Sequence, residues 1–377
     1  MSSQRIQSID WLRGLVMVLM AIDHVRVYSG LPAGGAEAGI FFTRWVTHFC
    51  APVFVFLTGT SAFLYGERHG IGALRRFLLS RGLLLIVLEF TVIRFCWTFN
   101  FNYSQFVLFG VIWMIGACMV LLALVVSRKP HVVATLGILV IFGQQLFGWL
   151  PGLWPEEMRS GWGALWEFIY PSGMEAPGRV TILYVLVPWI GVMMAGFGAG
   201  KMMTLPAPDR RKAQLWLGLG ATVLFMIWGL VRTGMSEPGE MPFVLRLLNQ
   251  QKYPASPLFL LMTLGPAILV MPWLETTSGA VSRIMVTFGR VPFFYYLLHI
   301  PVIHLLAVGM NLLREGRTFS EWYATAPYVW FQEDGHQWPL WLLYVVFAVA
   351  VAVLYLACRA YERYKFAHPE KEWLRWI

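Results

Sequence analysis

Residues 9–24 read IDWLRGLVMVLMAIDH. The stretch is apolar enough for a membrane helix, yet it carries Asp10, Arg13 and Asp23 and ends on His24. Arg13 and His24 are eleven residues apart. At ~100° and 1.5 Å per residue they fall within roughly 20° of one another, ~16 Å apart along the axis. Asp10, Met17 and Met20 complete the same stripe in steps of three and four. A polar face in a bilayer-length segment is costly, and such a face lines a cavity or a route through the protein rather than lipid. The rest of the chain reads as the wall built around it.

The composition supports that reading. With 377 residues, 58% hydrophobic and 13% charged, and a mean hydropathy of +0.62, the chain is not a soluble globular protein. Its apolar runs recur at about 20 residues, the length that crosses a ~30 Å hydrocarbon core. Spanning backbone must be helical or closed into a barrel, and continuous apolar runs without strict alternation select helices. Ten spans can be drawn, at about 11–30, 44–66, 76–97, 106–126, 131–150, 180–200, 213–231, 257–275, 284–309 and 338–359. The expected fold is all-α and polytopic, with residues 1–377 forming one membrane domain and no separate soluble domain. A basic start, an apolar run and the small residues 32–38 mimic a signal peptide, but Asp23, His24 and Arg26 break its apolar centre. The segment is therefore expected to remain as the first helix.

The connections set the topology. Arg5, then Arg68, Arg75, Arg76 and Arg81, Arg128 and Lys129, and Lys201 with Arg210, Arg211 and Lys212 fall on one side of a ten-span arrangement. Arg283 and the final Arg359, Arg363, Lys365, Lys371 and Arg375 join them. The opposite connections hold Glu156, Glu157, Glu167 and Glu175 against Arg159 and Arg179, and Glu315, Glu321, Glu333 and Asp334 against Arg314 and Arg317. This positive-inside bias predicts both termini in the cytoplasm. The net charge of +9 is thus a topology signal and not a nucleic-acid footprint. Cys50, Cys96, Cys118 and Cys358 are scattered, without zinc-site spacing, and no metal is expected. GVMMAGFGAGK (191–201) resembles a phosphate loop but fails its spacing: Ala195 stands where the first glycine is needed and Met202 replaces the Ser/Thr. Gly196 and Gly200 read instead as a small-residue packing face.

With that topology, four helices converge on an outer polar layer holding Asp23, His24, Arg26, Arg44, His48, Glu89, Arg94, His299 and His304. Arg13, Arg81 and Arg290 lie toward the inner side. The candidate catalytic residues are His24, Asp23, His48, Glu89 and His299, and the candidate donor-binding residues are Arg13, Arg81 and Arg290. Glu89 is the expected orienting partner of His24, because Asp23 points to another side of the same helix. Each also has a structural role open to it, as an interhelical hydrogen bond or an inner-face anchor.

RIQSIDWLRGL (5–15), followed by Asp23-His24, resembles bacterial membrane proteins related to heparan-alpha-glucosaminide N-acetyltransferase. The Arg13-x10-His24 spacing is similar to the motif of the wider type 3 transmembrane acyltransferases, and HFCAPVFVFLTGTSAFLYG (48–66) to the second helix of the former group. GRVPFFYYLLHIP (289–301) resembles the late Tyr-Leu-x-His-x-Pro element of the latter. The resemblance implies acyl transfer from cytoplasmic acyl-CoA, most simply acetyl-CoA, to a hydroxyl or amine of an envelope glycan or lipid-linked sugar. His24 would act as base or acyl carrier, with Arg13 as its partner. In the lysosomal enzyme the acetyl-carrying histidine follows the first helix, whereas no histidine stands between His24 and His48 here. The implied setting is the inner membrane of a bacterium, with lipid and acceptor glycan as partners, no nucleic acid, and a homodimer left open. Two rivals use the same polar layer: a proton-coupled transporter or lipid flippase, and a non-catalytic binding protein for an envelope lipid or glycan.

Overall fold

A computed structural model describes residues 6–104, 106–173, 179–237, 239–319, 321 and 335–375. Arg5, Glu175, Glu333 and Asp334, used above for topology, lie outside the described residues.

The first stretch forms α1, Gln7–Ser29, with Asp10 in its first turn and Gly30 as its C-cap at φ 76°. An acidic residue near the N-terminus and a left-handed glycine past the C-terminus are the signals that start and stop a helix. There follow α2 (Ala38–Trp45), a 3-10 turn, α3 (Cys50–His69) and α4 (Ile71–Leu88). After α4 the chain winds as a π-turn over Glu89–Ile93 and ends in the short α5 (Arg94–Thr98). Next come α6 (Val111–Val125), α7 (Pro130–Phe142), α8 (Gln145–Trp149), α9 (Glu156–Trp166), α10 (Trp189–Met203) and α11 (Ala207–Met235). The remainder is α12 (Phe243–Leu248), α13 (Pro257–Leu274), α14 (Ala280–Arg290), α15 (Pro292–Glu315) and α16 (Leu340–Ala367).

Helix occupies each of the ten intervals drawn from the sequence, but fewer qualify as spans. Among the described residues, five helices are long and apolar enough to cross a membrane: 38–69, α11, α13, α15 and α16. A sixth appears if α7 and the segment Gln145–Leu153, bent by 55° at their junction, count as one span. The other four fall short for reasons visible in their residues. α1 carries Asp10, Arg13, Asp23 and Arg26, and α4 carries Arg75, Arg76 and Arg81. α6 and α10 are each 15 residues long.

Two expected spans also begin as strand. Val107–Phe109 (β1) pairs in parallel with Val180–Ile182 (β2), Val107 opposite Val180 and Phe109 opposite Ile182. These β-branched and aromatic residues favour extended backbone, and Gly110 and Pro188 then precede α6 and α10. The fold is therefore helical with one small parallel ladder, not wholly α. The expected span at 284–309 is likewise two helices, α14 and α15, separated at Val291, with Pro292 at the first position of α15.

α1 is the hub, in contact with α3, α13, α14, α15 and α16. Its approach to α14 is backbone on backbone. A Cβ on Gly14 would stand 1.9 Å from the Met285 carbonyl oxygen, and one on Gly289 would stand 1.8 Å from that of Asp10. No side chain fits at either position. Glycine here lets two helices touch where apolar burial gives little drive between spans. Around this core α10 packs on α3 and α7, α4 on α6, and α11 on α13.

Candidate functional site

A cavity of about 450 Å³ runs along the polar stripe of α1. Arg13, Met17, Met20 and His24 of the α1 stripe line it, as their shared face requires, and Asp23 beside His24 lines it too. α3 contributes Phe54, Thr58, Ser61 and Tyr65, α4 contributes Arg81, and the π-turn contributes Glu89. Phe293 and Tyr296 of α15, Lys365 near the end of α16, and Tyr184, Lys252 and Tyr253 from connections complete the wall.

One end is cationic. Arg13 donates from Nη2 to Ser61 Oγ at 2.9 Å and from Nη1 to the Gly289 carbonyl at 3.3 Å, with Asp10 Oδ1 3.5 Å away. Its guanidinium is thus held at the α1–α14 crossing that the paired glycines create. Arg81 lies 4.4 Å over the Phe293 ring. Lys365 stands one turn beyond Glu362, whose carboxylate accepts from Thr287 Oγ1 at 2.8 Å and Arg290 Nη1 at 2.9 Å. Arg290, expected as a donor-binding residue, is therefore committed to that ion pair and is not among the lining residues.

The other end holds the titratable groups. His299, fully buried on α15, places Nδ1 2.6 Å from the Tyr296 carbonyl and 3.2 Å from that of Tyr295. A carbonyl only accepts, so His299 Nδ1 carries the hydrogen and, in the neutral ring, Nε2 is an acceptor. His24 Nδ1 lies 2.7 Å from that Nε2 and must donate to it. The hydrogen of neutral His24 is thus on Nδ1, and the lone pair is on Nε2. Trp97 packs edge-on against the His24 ring at 4.9 Å between centroids, fixing its orientation. The expected layer therefore contains a histidine pair that joins residues 275 positions apart.

The remaining candidates separate. Glu89 lines the cavity, but its Oε2 accepts the Trp113 N–H at 2.8 Å at the start of α6. A carboxylate there satisfies an orphan helix donor and complements the helix dipole. His299, not Glu89, is the group that orients His24. Asp23 bridges Arg26 Nε at 3.0 Å and Arg44 Nη1 at 2.9 Å, tying α1 to α2. His48 packs on Phe259 at 5.3 Å between centroids and is not among the lining residues, although Thr47 and Cys50 beside it are. His304 stacks on Phe99 at 3.9 Å and faces the Cys96 carbonyl, and it is not among the lining residues.

Lys252 is a cavity-lining residue that the sequence did not mark. It sits in the turn between α12 and α13, closed by a Lys252–Ala255 bridge and a hydrogen bond from Ser256 N–H to the Gln251 carbonyl at 2.9 Å. Ser256 Oγ then caps α13 by accepting from Phe259 N–H. Lys252 is only 8% exposed, and Tyr253 beside it packs against Tyr184 at 5.3 Å between centroids. Burial opposes ionisation of the Tyr253 phenol, but Lys252 and Arg44 outweigh it and lower its pKa from the ordinary tyrosine value. A lone lysine in the polar run NQQKYPASP (249–257) has no periodicity or motif to single it out. Lys365 was visible only as one of several basic flanks. Among the described residues, no group of three or more His, Cys, Asp or Glu side chains is arranged to hold a metal ion.

Comparison with known proteins gives one family. Residues 5–233 match the family model described as heparan-alpha-glucosaminide N-acetyltransferase, catalytic. The match includes α1 and His24 and stops before Lys252, His299 and Lys365. No curated protein matches the chain.

Proposed function

The chain belongs to the heparan-alpha-glucosaminide N-acetyltransferase catalytic family, and from that membership we propose that it moves an acetyl group from acetyl-CoA to a hydroxyl or amine of an envelope glycan or lipid-linked sugar. The observation that carries this reading is one continuous cavity with Arg13, Arg81 and Lys365 toward one end and His24 toward the other. A pantetheine arm is long and narrow, of the same order as the ~16 Å of helix between Arg13 and His24. The cations take the CoA phosphates, with the planar forks of Arg13 and Arg81 suited to phosphate oxygens. The thioester then reaches the His24 end through the apolar stretch of Met17 and Met20.

There the acceptor attacks the thioester carbon while His24 Nε2 takes its proton. The charge that appears on His24 is stabilised through Nδ1–H by His299 Nε2, itself fixed by two backbone carbonyls. His299 is a positioning residue; it sets which nitrogen of His24 is the base. Asp23 holds α1 and α2 together through Arg26 and Arg44, and Glu89 caps α6 at the cavity wall.

The test is transfer of labelled acetyl from acetyl-CoA to a glucosamine-terminated oligosaccharide by proteoliposomes of the purified chain. Product formation that depends on acetyl-CoA is expected. Substrate uptake that follows a proton gradient, with no transferred label, would instead establish a carrier.

The reading also places the cationic end and both termini in the cytoplasm of a bacterial cell, with the chain in the inner membrane, in agreement with the basic flanks. Reporter fusions after Gly173 and at the C-terminus are expected to face opposite sides. Reporters on the same side would refute that orientation.

A further inference from the structure

Lys252 has no part in the mechanism as described, and its burial is unusual for a lysine. Its side chain is buried at the His24 end of the cavity, in a turn fastened by its own backbone bonds. The two other cations at that end, Arg26 and Arg44, are both engaged by Asp23. Lys252 makes no ion pair among the described residues, and its nearest recorded partner is the Tyr253 ring, 5.2 Å from Nζ to centroid. It is within electrostatic reach of Asp23, His24 and His48. Lys252 thus lines the cavity with no direct carboxylate partner among the described residues, the Asp23 carboxylate within its reach being shared by Arg26 and Arg44.

The geometry points to Lys252 as the cation that stabilises the oxyanion formed when the acceptor attacks the acetyl thioester beside His24, an assignment that rests on the acyl-CoA reading. The thioester itself is neutral, so the charge Lys252 faces develops only during the reaction, where fixed electrostatic stabilisation acts most strongly. The acceptor oxygen or nitrogen bonds to the carbonyl carbon and its proton passes to His24 Nε2. The carbonyl π electrons move onto oxygen, facing the Lys252 ammonium. Collapse of this intermediate restores the carbonyl and breaks the carbon–sulfur bond. The CoA thiolate leaves and takes the proton from His24, so that acetylated acceptor and free CoA are the products. Lys252 keeps its proton throughout.

Two stable CoA thioethers separate this role from acceptor binding or packing. S-carboxymethyl-CoA carries a carboxylate one bond beyond the position of the reacting carbonyl, close enough to place an oxygen anion before the same cation; S-ethyl-CoA is its neutral counterpart of similar length. In calorimetric titration of the purified full chain, the carboxymethyl analogue is expected to bind about 10- to 100-fold more tightly, the range for a hydrogen bond to a charged group. Lys252→Met is expected to abolish this preference while binding S-ethyl-CoA within about twofold of wild type, and Lys252→Arg to keep part of it. A preference that survives in Lys252→Met, or is missing in the wild type, would overturn the assignment alone. If Lys252→Met binds neither analogue, Lys252→Arg decides: a retained preference supports the role and a lost one overturns it. Failure of the wild-type protein to bind either analogue would overturn the acyl-CoA reading, and this assignment with it.

Discussion

Replacing His24 with glutamine is expected to lower acetyl transfer by about 10³-fold, within the 10²–10⁴ range of a positioned general base. Glutamine retains an amide N–H able to face His299 Nε2, and it keeps much of the volume beneath Trp97. The helix, the cavity and the Arg13 end should therefore persist. What disappears is the Nε2 lone pair that the His299 contacts create. Thermal stabilisation by CoA should be retained, which distinguishes a lost base from a lost fold. Transfer by a CoA-binding His24→Gln protein at more than a tenth of the wild-type rate would remove His24 from the proton transfer.

Arg13→Gln is expected to weaken CoA binding about tenfold or more, as loss of a charge-assisted contact to phosphate requires. Its guanidinium is already oriented by Ser61 Oγ and the Gly289 carbonyl, so little side-chain freedom remains to be lost on binding. Arg13→Lys should recover only part of the affinity, because a point charge replaces a planar fork. Added salt should narrow the difference between wild type and mutant, less so than at an exposed site. The KM for acetyl-CoA should rise in parallel. Titration of each variant with CoA checks the affinity, and unchanged binding in Arg13→Gln would place the phosphates elsewhere along the cavity.

What the sequence disclosed follows from how far each signal extends along the chain. The α1 stripe is local: residues 10, 13, 17, 20 and 24 share a face by helical geometry alone. The structure finds four of them, Arg13, Met17, Met20 and His24, on one cavity wall. Helix positions were legible for the same reason; by length and composition five or six of the ten intervals qualify as spans, the charges of α1 and α4 and the shortness of α6 and α10 keeping those four below that mark. The partner of His24 was not legible. Glu89 stood at the right depth, but the π-turn directs its carboxylate to the Trp113 N–H, and His299 reaches His24 from across the fold. Lys252 lies beyond any periodic pattern, in a turn whose importance appears only once α13 carries it to the cavity.

The central claim is that the cavity between Arg13 and His24 holds acyl-CoA, and calorimetric titration of CoA into the detergent-solubilised wild-type protein tests it most directly. Saturable heat with a matching rise in melting temperature is the expected result, since a ligand that binds only the folded state stabilises it by mass action. A wild-type protein that gives neither heat nor stabilisation with CoA would contradict the account.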